Sequence, residues 1–226
     1  MGNIKDLPPR SKEKLENAAL VIFETDYFFD NLIKDADIKV SGETVRFSES
    51  DDLKQRVVEK LEVGDVALIA DFGYPIVADI GSSLSSYVIE KGFEISVIPG
   101  PSIATTAQVL AALQPFRPDF LWQELYSYHG EDKFQKLSRI ANVDCNIVLV
   151  DHPSRMEKTL SMIQNIFQAR PAALIYNASM NSEKVVRTTC NNLLEQHREV
   201  LEVIAAEEGF VKEVFVTVVI GPPSFL

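Results

Sequence analysis

Short, uninterrupted apolar runs alternate with helical repeats through the first half of the chain. Leu20–Phe23 is one such run, and residues 66–70 and 95–98 are two more. Runs of this kind predict strands buried on both faces. Residues 51–62 predict a helix: Ser50 can cap it, Asp51 and Asp52 sit in its first turn, and Gly64 can end it. Residues 82–91 predict a second helix, closed by Gly92. Residues 102–113 predict a third, apolar helix with Ser102 as its cap. Pro99 stops the strand at 95–98. Strand–helix–strand repetition with runs this apolar means an α/β domain, its mostly parallel sheet covered on both faces.

A break falls at 114–119, where Pro115 and Pro118 bracket Arg117. Beyond it the pattern predicts strands at Phe120–Glu124, 147–150, 172–176, 184–188 and 214–220. Helices are predicted at 133–141 and 155–167, with further helix before the last strand. These last strands lie close enough in sequence for antiparallel pairing, so the second sheet is expected to be mixed. Two α/β domains are therefore expected, 1–116 and 117–226.

Two loops carry candidate chemistry. The segment 70–81, ADFGYPIVADIG, leaves a predicted strand at the carboxyl edge of a parallel sheet, where open α/β sheets bind ligands. Gly73 and Gly81 permit tight turns, Pro75 fixes one φ angle, and Asp71 and Asp79 bracket the loop. By itself the segment is better explained as a turn and a helix start, with Asp79 near the helix amino end. The segment 98–103, IPGPSI, also leaves a strand and opens a helix, whose free N–H groups suit an anionic group. By itself it is a cap and a proline-stiffened turn. Two such loops after neighbouring strands favour a ligand cleft.

The ten glycines form no GxG pair. The dinucleotide fingerprint, the phosphate-binding GxxxxGK[ST] and the glycine loop of the commonest methyltransferase fold are thus absent. GxSxG and HExxH are absent too. His129, His152 and His197 lie far apart, without metal-ligand spacing, and no metal is expected. His152 follows a strand and can line a cleft, whereas His197 lies in a charged helix and is expected to be solvated. Cys145 and Cys190 cannot make a disulfide framework or a four-thiolate zinc site, which fits a reducing, cytoplasmic setting.

The composition, 46% apolar and 24% charged over 226 residues, excludes long disorder and coiled coil. No apolar stretch approaches the ~20 residues of a membrane helix. The opening MGNIKDLPPRSKEK has no apolar secretory core. Twenty-two basic against 33 acidic residues leave a net charge of −11. Nucleic-acid binders normally present a basic surface, so the charge argues against DNA and lends RNA no support. The second half, with 11 basic and 14 acidic residues, is the less acidic one.

In this order and spacing the two loops resemble the tetrapyrrole methylase superfamily of S-adenosylmethionine (SAM)-dependent enzymes. Within it, the chain most resembles the branch that methylates the ribose 2′-oxygen of a cytidine in small-subunit ribosomal RNA. That branch reads roughly VALVSDAGTPLISDPG, then VxPLPGPSA, then ESPHR; the matching stretches here are 66–81, 97–103 and 151–155. The opening GNIKD at 2–6 is similar to the branch's GNLxD. The resemblance covers nearly the whole chain. It implies two α/β domains with a SAM cleft between them, and usually a homodimer.

The implied cofactor-binding residues are Gly73, Tyr74, Pro75 and Val77 in the first loop, Gly100, Ser102 and Ile103 in the second, and Ala178 after a strand of the second domain. Transfer to a ribose hydroxyl also needs a base. Asp71, Asp79 and Glu24 are the candidates, each equally suited to a turn or helix-start role. Arg155 can clamp a phosphate or carboxylate of the substrate, or can be a solvated helix-start arginine.

Departures from the branch touch its substrate surface. Tyr27 stands where the branch's EDTR has arginine, and residues 46–50 lack the histidine of SYHExN. Residues 177–181 lack the charges of RELTK, and Tyr74 replaces a threonine. Branch members begin with a strand ending in TPIGN, so the first strand is expected to be missing here. The departures leave open a methylase of a tetrapyrrole or other small molecule, or a degenerate SAM-binding protein without activity.

Overall fold

Strand β1, Leu20–Phe23, is buried along its whole length. Its side chains alternate between two cores, as the strand period requires. Val21 and Phe23 pack with Leu15, Phe29 and Ile38; Leu20 and Ile22 pack with Leu53, Val57, Leu84 and Val88. A computed structural model describes residues 3–115, 117–208 and 214–223 of the chain. The opening glycine of GNIKD lies outside the described residues. Helices α1, Pro9–Asn17, and α2, Asp26–Asp35, supply the first core; α3, Asp51–Leu61, and α4, Ser82–Glu90, supply the second. β1 pairs in parallel with β2, Glu43–Arg46, on one side and β3, Val66–Leu68, on the other. The helix ends follow the sequence: the Ser50 hydroxyl accepts from Leu53 N–H at 3.2 Å, and Gly64 N–H donates to the Lys60 carbonyl at 3.0 Å.

The strand expected at 95–98 does not form. Among the described residues β3 pairs only with β1, and Ile95 and Val97 stand 51% and 63% exposed. An apolar run reports a tendency to be buried, but a strand also needs a neighbouring backbone to pair with. β3 likewise stops at Leu68, opposite Ile22, rather than running on to Ala70.

The chain forms two compact units, Met1–Ser102 and Ile103–Leu226. The helix expected to close the first domain is α5, Ile103–Ala111, and it belongs to the second unit. Ala107 and Ala111, with Leu113 beyond them, pack on Val148, Ala173, Ile175 and Val219. The division therefore falls at 102 and not at 116: a small-residue helix follows the sheet it can approach closely.

The second unit has a five-stranded sheet in the order β4-β5-β8-β6-β7. These strands are β4, Phe120–Glu124; β5, Asn146–Val150; β6, Pro171–Tyr176; β7, Lys184–Thr189; and β8, Val216–Ile220. β4 and β5 are parallel and the other pairings antiparallel, the mixed sheet expected. Opposite α5, the sheet is covered by α7, Met156–Phe167, and α8, Leu193–Glu208. Helix α6, Gly130–Ile140, joins β4 to β5 and buries Leu137 in the same core. No helix among the described residues is long and apolar enough to cross a membrane.

Candidate functional site

The loop after β3 holds an unusual backbone. Gly73, Ile76, Ala78 and Gly81 all have positive φ, at 74°, 75°, 57° and 103°. For Ile76 and Ala78 this left-handed region costs about 1–2 kcal/mol each. Strain gathered in one loop is a feature of binding and catalytic segments. Gly81 is also held close to the sheet, since a Cβ there would lie 2.4 Å from Leu68 Cδ2. One internal backbone bond, Ile76 N–H to the Ile80 carbonyl at 2.9 Å, braces the loop. The N–H groups of Gly73, Tyr74 and Ala78 donate to no described protein group. Val77 is more than half exposed.

Tyr74 ties this loop to the second one. Its phenolic oxygen accepts from Gly100 N–H at 2.7 Å, and its O–H donates to the Gly100 carbonyl at 3.0 Å. The two segments singled out in the sequence are therefore adjacent. Ser102 ends the first unit directly before α5, and Ile103 is the first residue of that helix.

The three carboxylates gather beside the loop. Asp71 is occupied: Oδ2 accepts from the Thr25 hydroxyl at 2.7 Å and Oδ1 from Thr25 N–H at 3.3 Å. Glu24 Oε2 accepts from Asp71 N–H at 3.0 Å. Asp79 makes one hydrogen bond, from Ile80 N–H at 2.7 Å, and does not cap α4, whose cap residue is Gly81. Burial, with Glu24 and Asp71 adding negative charge, pushes the Asp79 carboxyl up to about 6.

In the second unit Arg155 precedes α7 at the carboxyl end of β5. It donates through Nη1 to His129 Nδ1 at 2.9 Å and through Nη2 to the Tyr126 carbonyl at 3.0 Å. Nη2 also lies 3.3 Å from the fully buried Asp151 carboxylate. Ala178 sits in the turn after β6, between Asn177 and Ser179, both at positive φ, and is half-buried on the α5 side of the sheet. The turn is fastened by Asn177, which exchanges backbone and side-chain bonds with Phe215. His152 is taken up locally, its Nδ1 lying 2.8 Å from Ser154 Oγ.

Residues 1–194 match the family model described as Tetrapyrrole (Corrin/Porphyrin) Methylases. The chain belongs to the tetrapyrrole methylase family. It is similar to Ribosomal RNA small subunit methyltransferase I of Mycobacterium tuberculosis, 27% identical over 197 residues, covering 85% of this chain and 68% of that protein. The protein of the same name from Rickettsia prowazekii is 25% identical over 206 residues, covering 86% and 72%. Among solved structures, a diphthine synthase covers 97% of this chain and 86% of its own at a TM-score of 0.68 and 18% identity. The uroporphyrin-III C-methyl transferase of Thermus thermophilus, complexed with S-adenyl homocysteine, covers 96% and 91% at 0.61 and 14%. These structural likenesses establish the tetrapyrrole methylase fold.

Several residues of this tetrapyrrole methylase escaped the sequence reading. Thr25, which fixes Asp71, gives no signal beyond a cap-type residue before α2. Lys133 is buried against Asp151 although it lies in a strongly polar helix. His197, expected to be solvated, is 3% exposed, and its Nδ1 lies 3.0 Å from the Tyr176 hydroxyl. The spacing Leu193, His197, Val200, Ile204 marks the buried stripe of α8 and was the available signal. Among the described residues no group of three metal-ligating side chains occurs.

Proposed function

We propose that the protein transfers a methyl group from SAM to a ribose 2′-hydroxyl of small-subunit ribosomal RNA. The observation that carries the reading is the two-loop platform pinned through Tyr74 and Gly100. The Gly73, Tyr74 and Ala78 amides suit the carboxylate of an amino-acid-like cofactor end. Relatives bearing the ribosomal RNA methyltransferase name over most of this chain support the acceptor class. When bound, SAM supplies an electrophilic methyl on a sulfonium leaving group.

The chain's part is positioning and proton removal. Orientation of the acceptor in line with the methyl can lower the barrier by roughly 7–11 kcal/mol. Asp79 is the base: among the described residues its second carboxylate oxygen accepts no hydrogen bond, and a group titrating at about 6 is ionised at neutral pH yet still takes a proton. As the new oxygen–carbon bond forms, Asp79 receives the hydroxyl proton. Asp71 and Glu24 shape the site, Asp71 by holding Thr25 at the start of α2. The protein is proposed to act in the cytoplasm as a homodimer, which light scattering after gel filtration tests. Calorimetry with SAM, followed by incubation of tritium-labelled SAM with small-subunit RNA, tests the activity. SAM binding with label in the RNA is expected; SAM binding with no label in any RNA removes the reading.

A further inference from the structure

The second unit buries an ion pair in its core. Lys133 and Asp151 are 3% and 2% exposed and in direct contact. The Thr159 hydroxyl bonds to Asp151 Oδ2 and lies 3.2 Å from Lys133 Nζ. Around them lies an apolar core that includes Leu137, Met156 and Leu160. Withdrawing two charges from water carries a large desolvation cost, and apolar residues of similar size often give equal or greater stability at such places. The network reaches toward solvent through Asp151 Oδ1. Asp151 Oδ1 takes His152 N–H at 2.8 Å and holds Arg155 Nη2 at 3.3 Å.

Arg155 is thereby fixed from three sides: by Asp151, by the Tyr126 carbonyl before α6, and by the His129 ring, the cap residue of α6. Among the described residues Nε donates no hydrogen bond, and the side chain is 26% exposed. Neighbouring carboxylates are engaged elsewhere. Glu124 accepts from Ser127 N–H at 3.0 Å, Glu157 pairs with Arg198 at 2.8 Å, and Glu131 accepts from Gln135 at 3.3 Å. The result is a guanidinium held rigidly at the carboxyl end of a parallel strand pair, with an N–H edge left over. That geometry suits a phosphate oxygen.

We propose that Arg155 contacts a backbone phosphate of the RNA, and that Lys133 and Asp151 are positioning residues that hold it for that contact. This rests on the ribosomal RNA reading and adds to it a defined contact and the buried residues behind it. Asp151 supplies the link; Lys133 keeps Asp151 turned toward Arg155 from inside the core.

RNA affinity measured against salt concentration, with SAM affinity measured in parallel, tests the proposal. Arg155→Ala is expected to weaken binding of a small-subunit RNA fragment about tenfold. It is also expected to reduce the salt slope by roughly 0.7–0.9, one phosphate contact. Lys133→Met, which places nothing new at the surface, is expected to move affinity and slope in the same direction with SAM affinity unchanged. The double variant is expected to be no weaker than Arg155→Ala alone, because both changes act through one contact. Thr159→Val gives a milder form of the same readout and serves if Lys133→Met fails to fold. Wild-type salt slope in Arg155→Ala, or additive losses in the double variant, overturns this proposal and leaves the methyltransferase reading standing. Absence of RNA binding by the wild-type protein overturns both.

Discussion

The Tyr74 hydroxyl binds both polar groups of the Gly100 peptide pair, accepting from the N–H at 2.7 Å and donating to the carbonyl at 3.0 Å. One side chain thus sets the spacing of the two loops that the proposed activity depends on. Tyr74→Phe keeps the ring and removes both bonds. At about 1 kcal/mol net for each, the platform loses order and SAM binding is expected to weaken up to about tenfold. Calorimetric titration measures this, with Tyr27→Phe, at an exposed tyrosine, as the control.

Gly73 and Gly81 both sit at positive φ, but their surroundings differ. A Cβ at Gly73 meets open space, whereas one at Gly81 runs into the end of the Leu68 side chain. Gly73→Ala is expected to cost about 1 kcal/mol, the backbone term alone. Gly81→Ala adds the displacement of Leu68 and is expected to cost about 2–3 kcal/mol. Urea denaturation of the two variants gives the order.

Asp79 carries opposite signs for activity and stability. As the proposed base it must be ionised, so the rate is expected to rise through pH 6 and level off above pH 7. Asp79→Asn is expected to lower kcat about 10²-fold or more and to abolish that limb. For stability, the folded value of about 6 lies above the ordinary 3.8. The folded chain therefore binds the proton more tightly, and this contribution, present below pH 3.8, is lost as pH rises through 6. Asp79→Asn is accordingly expected to stabilise by up to about 1 kcal/mol at pH 7.5, allowing for solvent screening, and to change nothing at pH 4. Thermal denaturation at the two pH values separates the cases.

Tyr176 and His197 form a buried pair in the second unit. Tyr176→Phe leaves the imidazole nitrogen without its partner in an apolar setting and is expected to cost about 1–2 kcal/mol in urea unfolding. Burial holds His197 below its ordinary 6.5. The unfolded chain therefore takes up this proton first, and stability is expected to fall as pH drops below about 6.5.

What the sequence revealed follows from how locally each feature is determined. β1, α3 and α4 were legible because capping and an all-apolar strand are properties of adjacent residues. The closeness of the two loops was expected from two neighbouring strands, but only the first loop leaves a strand; the Tyr74 side chain is what ties Gly100 to it. The run at 95–98 misled because its apolar residues carry no record of a pairing partner, and Ile95 and Val97 are exposed. The boundary at 116 misled because a pair of prolines marks a break in regular structure, not the place where packing passes from one unit to the other. Lys133 lies in α6 and Asp151 just after β5, 18 residues apart, and no periodicity joins them. His197 was hidden by charged neighbours although its own spacing placed it on the buried stripe.

The position of the transferred methyl group is the most direct test. A 2′-O-methyl ribose cannot assist cleavage of its own phosphodiester, so its linkage survives alkali that hydrolyses the remaining RNA. Small-subunit RNA labelled by the protein from tritiated SAM is expected to yield the label in an alkali-resistant dinucleotide. Label recovered only in alkali-sensitive mononucleotides, or SAM bound with no label reaching RNA, would contradict ribose methylation by this chain.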